Sequence, residues 1–369
     1  MKKTLLATAI LLATSAANAA WTSLDGSLTI GGDAEINFDV VDRSYENRPN
    51  NGDNNPEIEL NDDSRVKMMV QWDTTREDGS YISAKIEPLM KTNGTVALDD
   101  AYLMFGRKDS WAFQIGRYEA MNLFPLGKDV ALFYADGADS IGSGIYYYMA
   151  KEGRGRGGDA GQARIISEMG NWTAEVSTVY GETKSVLESS KEYLKDAVDI
   201  DSSHNSFMVR PAVNYLSDDG FFSISFGGEY EVNGDSVTAT NTVTKEKFEL
   251  SDRYGLAATT TLNFGELVWN TSIAMQDAKD AWEARTFNTN ITYKDAFGLG
   301  TSYAVNKFTN KPEDAKSYAV YTAYTMPIMD FTNATVTFAL SYSDTENAYG
   351  NKGQDSDTTA FRTRFNYYF

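Results

Sequence analysis

Polar and apolar residues alternate with period two along most of this chain, the signature of strands with two unlike faces. Leu28, Ile30, Ala34, Ile36, Phe38 and Val40 share one face of the first run, and Asp33, Glu35, Asn37 and Asp39 share the other. Val66, Met68, Val70 and Trp72 then alternate with Arg65, Lys67, Gln71 and Asp73. In the last run, Phe361, Thr363, Phe365, Tyr367 and Phe369 oppose Arg362, Arg364, Asn366 and Tyr368. Between these lie runs starting at Ile82, Asp100 and Trp111, and others near 162–169, 172–182, 206–215, 221–230, 251–263, 266–276, 284–294, 298–307, 316–325 and 334–343, the last run itself spanning 358–369. The pattern predicts an all-β chain of about sixteen antiparallel strands, an even number that keeps both ends on one side.

The polar faces carry too many charges for a dry core, because an unpaired buried charge is costly. A closed barrel in a membrane resolves this, with alternate side chains facing lipid and their neighbours a wet lumen. Connections support it. Short ones at 108–110, 170–171, 217–220, 264–265 and 295–298 fall at one end, and long polar ones at 43–62, 88–97, 183–203, 231–248, 307–315 and 344–357 at the other. Such asymmetry is usual in outer-membrane barrels. Of the 22 tyrosines and 6 tryptophans, many sit near strand ends, where amphipathic rings favour the headgroup level.

The first nineteen residues read differently. Lys2 and Lys3 precede an apolar run and the sequence Ala17-Asn18-Ala19, which fits a secretory signal cut before Ala20. Residues 20–369 then form the barrel. No stretch reaches the roughly 18 uninterrupted apolar residues of a spanning helix. With no cysteine, neither disulfides nor thiol chemistry are available. The net charge of −19 argues against nucleic acid as a partner.

Enzymatic machinery is not in evidence. His204 is the sole histidine, no glycine-rich phosphate loop opens a helix, and paired carboxylates cannot be told from lumen lining. No cofactor is implied. Residues 51–59 are rich in oxygen ligands but lack calcium-loop spacing, so no metal site is assigned.

One connection breaks the rhythm. After Gly116-Arg117-Tyr118-Glu119 more than forty residues pass before the next strand, near Gln162, far beyond the usual length. The segment, about 118–161, includes Met121, Leu123, Phe124, Leu126, Val130, Leu132, Phe133 and Tyr134. These are poor solvent-exposed choices, so it is expected to fold inward and narrow the lumen.

The leader, the Gly116–Glu119 strand end with its long third loop, the early Arg65 strand and the terminal Phe369 together resemble the trimeric Gram-negative outer-membrane porin family, including its sugar-selective members. The resemblance implies a sixteen-stranded barrel, a homotrimer, and a third loop constricting the pore. The loop sequence 119–129 is more apolar than the acidic loop of general diffusion porins, and Arg154 and Arg156 add positive charge downstream.

Parity places Arg65, Lys67, Lys85, Arg362 and Arg364 on adjoining strands as a basic wall interrupted by Glu35. Facing it, the loop presents Glu119, Lys128, Asp129, Asp136 and Asp139, and opposed charges in a narrow wet gap favour dipolar solutes. Phe124, Phe133, Tyr134, Tyr146, Tyr147 and Tyr148 either form a stacking track for sugar rings or pack the loop. Arg154 and Arg156 either contact anions or belong to a solvated loop. Small inward residues, among them Ser302, Ala304, Ala319, Thr337 and Ala339, leave room for water. The expectation is an outer-membrane porin passing small hydrophilic solutes by passive diffusion, with carbohydrates or their derivatives preferred. An anion- or phosphorylated-compound-selective channel and a non-conducting adhesin or structural barrel remain the alternatives.

Overall fold

A computed structural model describes residues 20–46, 57–60, 64–128, 144–155, 160–181, 198–201, 205–241, 245 and 247–369. The wall begins with β1 (Leu28–Glu46), β2 (Arg65–Thr75), β3 (Ser80–Lys91), β4 (Val96–Arg107) and β5 (Trp111–Arg117). Beyond the third connection come β6 (Gly161–Met169), β7 (Trp172–Gly181), β8 (Ser206–Leu216), β9 (Phe222–Glu231) and β10 (Tyr254–Asn263). The circuit continues through β11 (Leu267–Ala278), β12 (Trp282–Tyr293), β13 (Phe297–Phe308), β14 (Asp314–Ile328), β15 (Phe331–Glu346) and β16 (Asp355–Tyr368). Each strand pairs antiparallel with the next, and β16 closes on β1 from Asp33↔Tyr368 to Glu46↔Asp355. Closure leaves no free edge, which a sheet in hydrocarbon requires.

The barrel is inverted relative to a water-soluble protein. Phe38, Trp72, Ile82, Phe105, Ile165, Ile273, Leu299 and Phe365 are exposed, while Asp33, Asn37, Asp39, Glu175, Arg210 and Asn288 are buried. Burial is therefore polar and exposure apolar, as a lipid-facing belt and an inward polar face demand. No helix among the described residues is long and apolar enough to cross a membrane.

Closure depends on one close approach. Gly32 N donates to Phe369 O at 2.7 Å and Phe369 N to Gly32 O at 3.0 Å. A Cβ on Gly32 would stand 2.1 Å from Lys67 O and 2.9 Å from the Phe369 ring, so only glycine fits where the last residue meets β1 and β2.

Several connections differ from the sequence reading. The stretch 88–97 is no long loop. β3 and β4 continue to Lys91 and Val96, and Gly94, at φ 86°, donates to Lys91 O at 3.0 Å to close a tight turn. Likewise β13 and β14 leave only 309–313 between them, and β15 and β16 only 347–354. At 88–97 a register shift between Ile86 and Pro88 breaks the alternation, and at the other rims, as in Asp344-Thr345-Glu346 and Asp355-Ser356-Asp357, both faces are polar, so strand ends and loops look alike in sequence. The loops also contain strands of their own. Glu57–Leu60 pairs with Phe38–Val41 of β1, and Val198–Asp201, Thr238–Asn241 and Lys247–Glu249 form a separate three-stranded sheet.

At the short-turn end the hairpins carry local caps. Asp25 accepts from Ser27 N at 3.1 Å, Asp78 from Ser80 N at 2.9 Å and Asp219 from Phe221 N at 3.0 Å. These aspartate turns bond the backbone two residues on. Donors from Ser23 and Ser27 hold the Asp25 carboxyl down at about 2.

Candidate permeation site

The described parts of the third connection are chiefly two arms, 118–128 and 144–155; their polar contacts run to the inward face of β6 to β14, and Gly144 O also accepts from Tyr349 N in the β15–β16 connection at 2.8 Å. Tyr118 exchanges two bonds with Gln162 on β6, at 3.2 and 3.0 Å. Met121 N donates to Glu175 on β7 at 3.0 Å. Further along, Leu123 O accepts from Thr259 on β10 at 2.6 Å, and Pro125 O from Asn288 and Asn290 on β12 at 3.1 and 3.0 Å. Tyr321 on β14 donates to Leu126 O at 2.8 Å, and Lys128 Nζ donates to the carbonyl of Asp295. Asp295 lies in the short turn after β12. The first arm thus descends from the end of β5 toward the short-turn rim.

The second arm holds the upper part of the same wall. Asn306 on β13 brackets Tyr146, accepting from its N–H at 2.5 Å and donating to its carbonyl at 2.9 Å. Tyr147 donates to Ser317 at 2.6 Å and Tyr148 to Glu229 at 2.7 Å. Burial pushes the Tyr146 and Tyr148 phenols well up, which keeps them protonated donors. Glu229 also accepts from Gly153 N at 2.8 Å, and Arg210 donates to Ala150 O at 3.3 and 3.2 Å. Arg253 Nη1 donates to both Glu152 oxygens at 2.8 Å and lies over the Trp282 ring. Leu123, Phe124, Ile145 and Met149 are buried, each gaining about 1.5–3 kcal/mol from burial. A hydrogen bond adds about 1 kcal/mol, and the arms make many of them, so apolar packing and hydrogen bonds share the attachment.

This packing decides one alternative and corrects one expectation. Phe124, Tyr146, Tyr147 and Tyr148 are buried against the wall, so of the two readings they pack the loop, fastening the arms. Ala304 and Ala319 pack in one cluster with Ile145, Tyr146 and Tyr147, and Ser302 donates to Asn288 at 2.9 Å. These small residues make room for the arms, where the sequence reading assigned the space to water. Thr337 and Ala339 lie on β15, with Thr337 bonded to Thr325.

The charged strip lies on β16 and β1 to β4. Arg65 Nη1 is 2.8 Å from Glu35, and its Nη2 is 3.6 Å from Asp33. Lys67 stands 3.3 Å from both Asp33 and Asp99. Lys85 stands 2.8 Å from Glu87 and 3.2 Å from Asp100. Arg362 forks onto Asp39 with two bonds of 2.7 Å, and Arg364 donates Nε to Asn37 at 2.7 Å. The five predicted cations are thus brought together on one inward strip, but the strip is not a basic wall. Every one has a carboxylate within 4 Å, since Arg364 Nη2 also stands 3.6 Å from Glu35.

The remaining candidates divide. Glu119 pairs with Arg154 at 3.3 Å, and Arg154 also donates to Ala120 O at 2.9 Å, tying the two arms at their roots. Asp129, Phe133, Tyr134, Asp136, Asp139, Arg156 and His204, like the predicted signal, lie outside the described residues. Sequence reasoning did not single out Asn288, Asn290, Asn306, Arg210, Glu229 or Arg253. Parity marks the asparagines as inward, but nothing in the sequence says that a loop lies over them.

Comparison with known proteins bears on the whole chain. A family profile described as porin-like glycoporin RafY matches residues 30–369. No curated protein sequence matches. Among solved structures, an anion-selective porin from Comamonas acidovorans is similar at TM-score 0.59 and 14% identity, over 93% of this chain and 99% of that one. The outer membrane channel DcaP of Acinetobacter baumannii reaches 0.57 at 12% identity, over 95% and 99%. In-vitro folded OmpT of Vibrio cholerae, described in a trimer form, reaches 0.56 at 14%, over 93% and 100%. At such identities the structural likeness speaks for the fold alone.

Proposed function

Because this chain belongs to the porin-like glycoporin RafY family, and is therefore an outer-membrane porin, we propose that its channel passes carbohydrates and their derivatives by passive diffusion, as a homotrimer and without enzymatic activity. The observation that carries this reading is the division of the inner wall. Among the described residues the two arms lie against β6 to β14 and touch the β15–β16 connection at Tyr349, and they leave uncovered the charged strip of β16 and β1 to β4, along which we place the solute path.

That strip suits polyhydroxylated solutes. Its cations and carboxylates alternate within 4 Å of one another, so donors and acceptors stand side by side along the route. A sugar hydroxyl is both donor and acceptor and can exchange its water for either partner. An apolar solute gains nothing there and loses its place in bulk solvent.

Swelling of liposomes that carry the purified protein tests the proposal. Swelling in mono- and disaccharides, with rates falling as the solute grows, is the expected result. Absence of both swelling and conductance in planar bilayers would refute a channel and favour a closed surface barrel.

A further inference from the structure

The strip is balanced in number but layered in depth. In its exposed pairs the cation side chain lies nearer the lumen than its carboxylate. Arg65 is 24% exposed against 11% for Asp33 and 13% for Glu35. Lys67 is 20% exposed against 13% for Asp99, and Lys85 16% against 6% for Glu87. Arg364 is 20% exposed against 13% for Glu35. A solute touching the strip therefore meets positive groups first, with the carboxylates set behind them.

Along this strip Arg65, Lys91, Arg362 and Arg364 meet Glu35 and Asp99 around an alcove of about 310 Å³. The four cations are not equivalent. Arg362 has both arms of its fork on Asp39 at 2.7 Å. Arg65 holds Glu35 Oε1 at 2.8 Å. Arg364 shares that same oxygen at 3.6 Å, while Asn37 Nδ2 donates to it at 3.0 Å. One carboxylate oxygen thus serves two guanidinium groups and an amide, and with Arg362 held by Asp39 the lining still sets three cations, Arg65, Lys91 and Arg364, against the two carboxylates Glu35 and Asp99.

We propose that this alcove binds the carboxylate of a monosaccharide-sized sugar acid, with Arg364 and Lys91 engaging the carboxylate and Asn37 and Glu35 the hydroxyls. The inference rests on the porin reading above and names a solute class for that same route. An alcove near 310 Å³ is at the lower end of small-molecule sites. Leu89 is its one apolar residue and no aromatic side chain lines it, so recognition is by charge and hydrogen bonds. Guanidinium groups suit oxyanions in a planar, paired geometry. A phosphate would bring close to two negative charges against Glu35 and Asp99, whereas a carboxylate brings one. The chemistry therefore favours the monoanion.

Calorimetric titration of the detergent-solubilised full barrel tests this directly, with D-glucuronate, glucose, glucose 6-phosphate and acetate as probes. Saturable glucuronate binding, tighter than for the other three, is expected. Arg364→Gln should weaken it about tenfold, the loss of one hydrogen bond to a charged group. Leu89→Trp fills the alcove without changing its charge and should weaken it comparably. Both variants are checked for folding by heat-modifiable gel migration. Glucuronate binding no tighter than glucose, equal affinity for the phosphate, or an unchanged constant in both variants would overturn the assignment. Glucose-driven swelling of liposomes, measured in parallel, addresses the channel itself. If swelling persists without glucuronate binding, the alcove assignment fails and the porin reading stands, and the reverse outcome separates them the other way.

Discussion

Asp39 has no exposed side-chain surface, and Arg362 reaches it with two bonds of 2.7 Å. Removing the guanidinium would strand a buried carboxylate without its fork. Arg362→Ala should therefore cost about 3–5 kcal/mol, while the double variant Arg362→Ala with Asp39→Asn should recover a large part of that loss. Denaturant titration in lipid vesicles measures both, and equal stabilities of the single variant and the native chain would contradict the role. Asp25 shows the opposite environment, a fully solvated turn. Its carboxyl is lowered from 3.8 to about 2 by donors from Ser23 and Ser27. A depressed folded-state value means that the turn's stabilisation is present above 3.8 and is lost as pH falls through about 2. Amide exchange at Ser27 and Leu28 should accordingly differ between the native chain and Asp25→Asn at neutral pH, and that difference should vanish toward the acid end of this window.

At the scale of elements the third connection decides the shape of the passage, and Asn306 is its upper fastening. Its side chain satisfies both the N–H and the carbonyl of Tyr146. Asn306→Leu removes two bonds worth about 1 kcal/mol each and leaves two buried backbone groups to find water. Single-channel current should then be larger or noisier, and the 144–155 arm should become open to protease. Unchanged conductance and protease resistance together would show that apolar packing alone suffices. The sequence made the wall legible because parity needs no tertiary information: Arg65 and Val66 must face opposite ways in any strand. It did not disclose the rims, where a register shift between Ile86 and Pro88 breaks the alternation although Pro88 to Met90 still pair with Leu98 to Val96. It also announced the length of the third connection without its path. Alanines such as Ala304 and Ala319 look the same beside water as beside Tyr147, and Tyr147 and Tyr148 carry no mark that distinguishes a fastening from a solute contact.

At the scale of the whole molecule, the passage exists only if the outer surface is solvated by hydrocarbon all the way round. The arms, the strip and the alcove all lie on the inward face, and each inward residue is flanked by outward ones. Ile273, 57% exposed near the middle of β11, and its buried neighbour Ala274 illustrate this alternation within one dipeptide. A charge placed outward in mid-bilayer has no water and no partner, so Ile273→Arg should destabilise the barrel by about 2–4 kcal/mol. Thr74, next to the last residue of β2, shares the outward face of Met68 and Trp72 and is also exposed, but lies at the short-turn rim. Interfacial positions tolerate charge at about 0–1 kcal/mol, so Thr74→Arg should be nearly silent. Equilibrium folding into vesicles of defined thickness compares the two. A steep penalty at Ile273 with little at Thr74 is what a membrane-spanning belt requires, whereas equal and small penalties would mean that water reaches the outer face and that the inward polar surface is not a lumen.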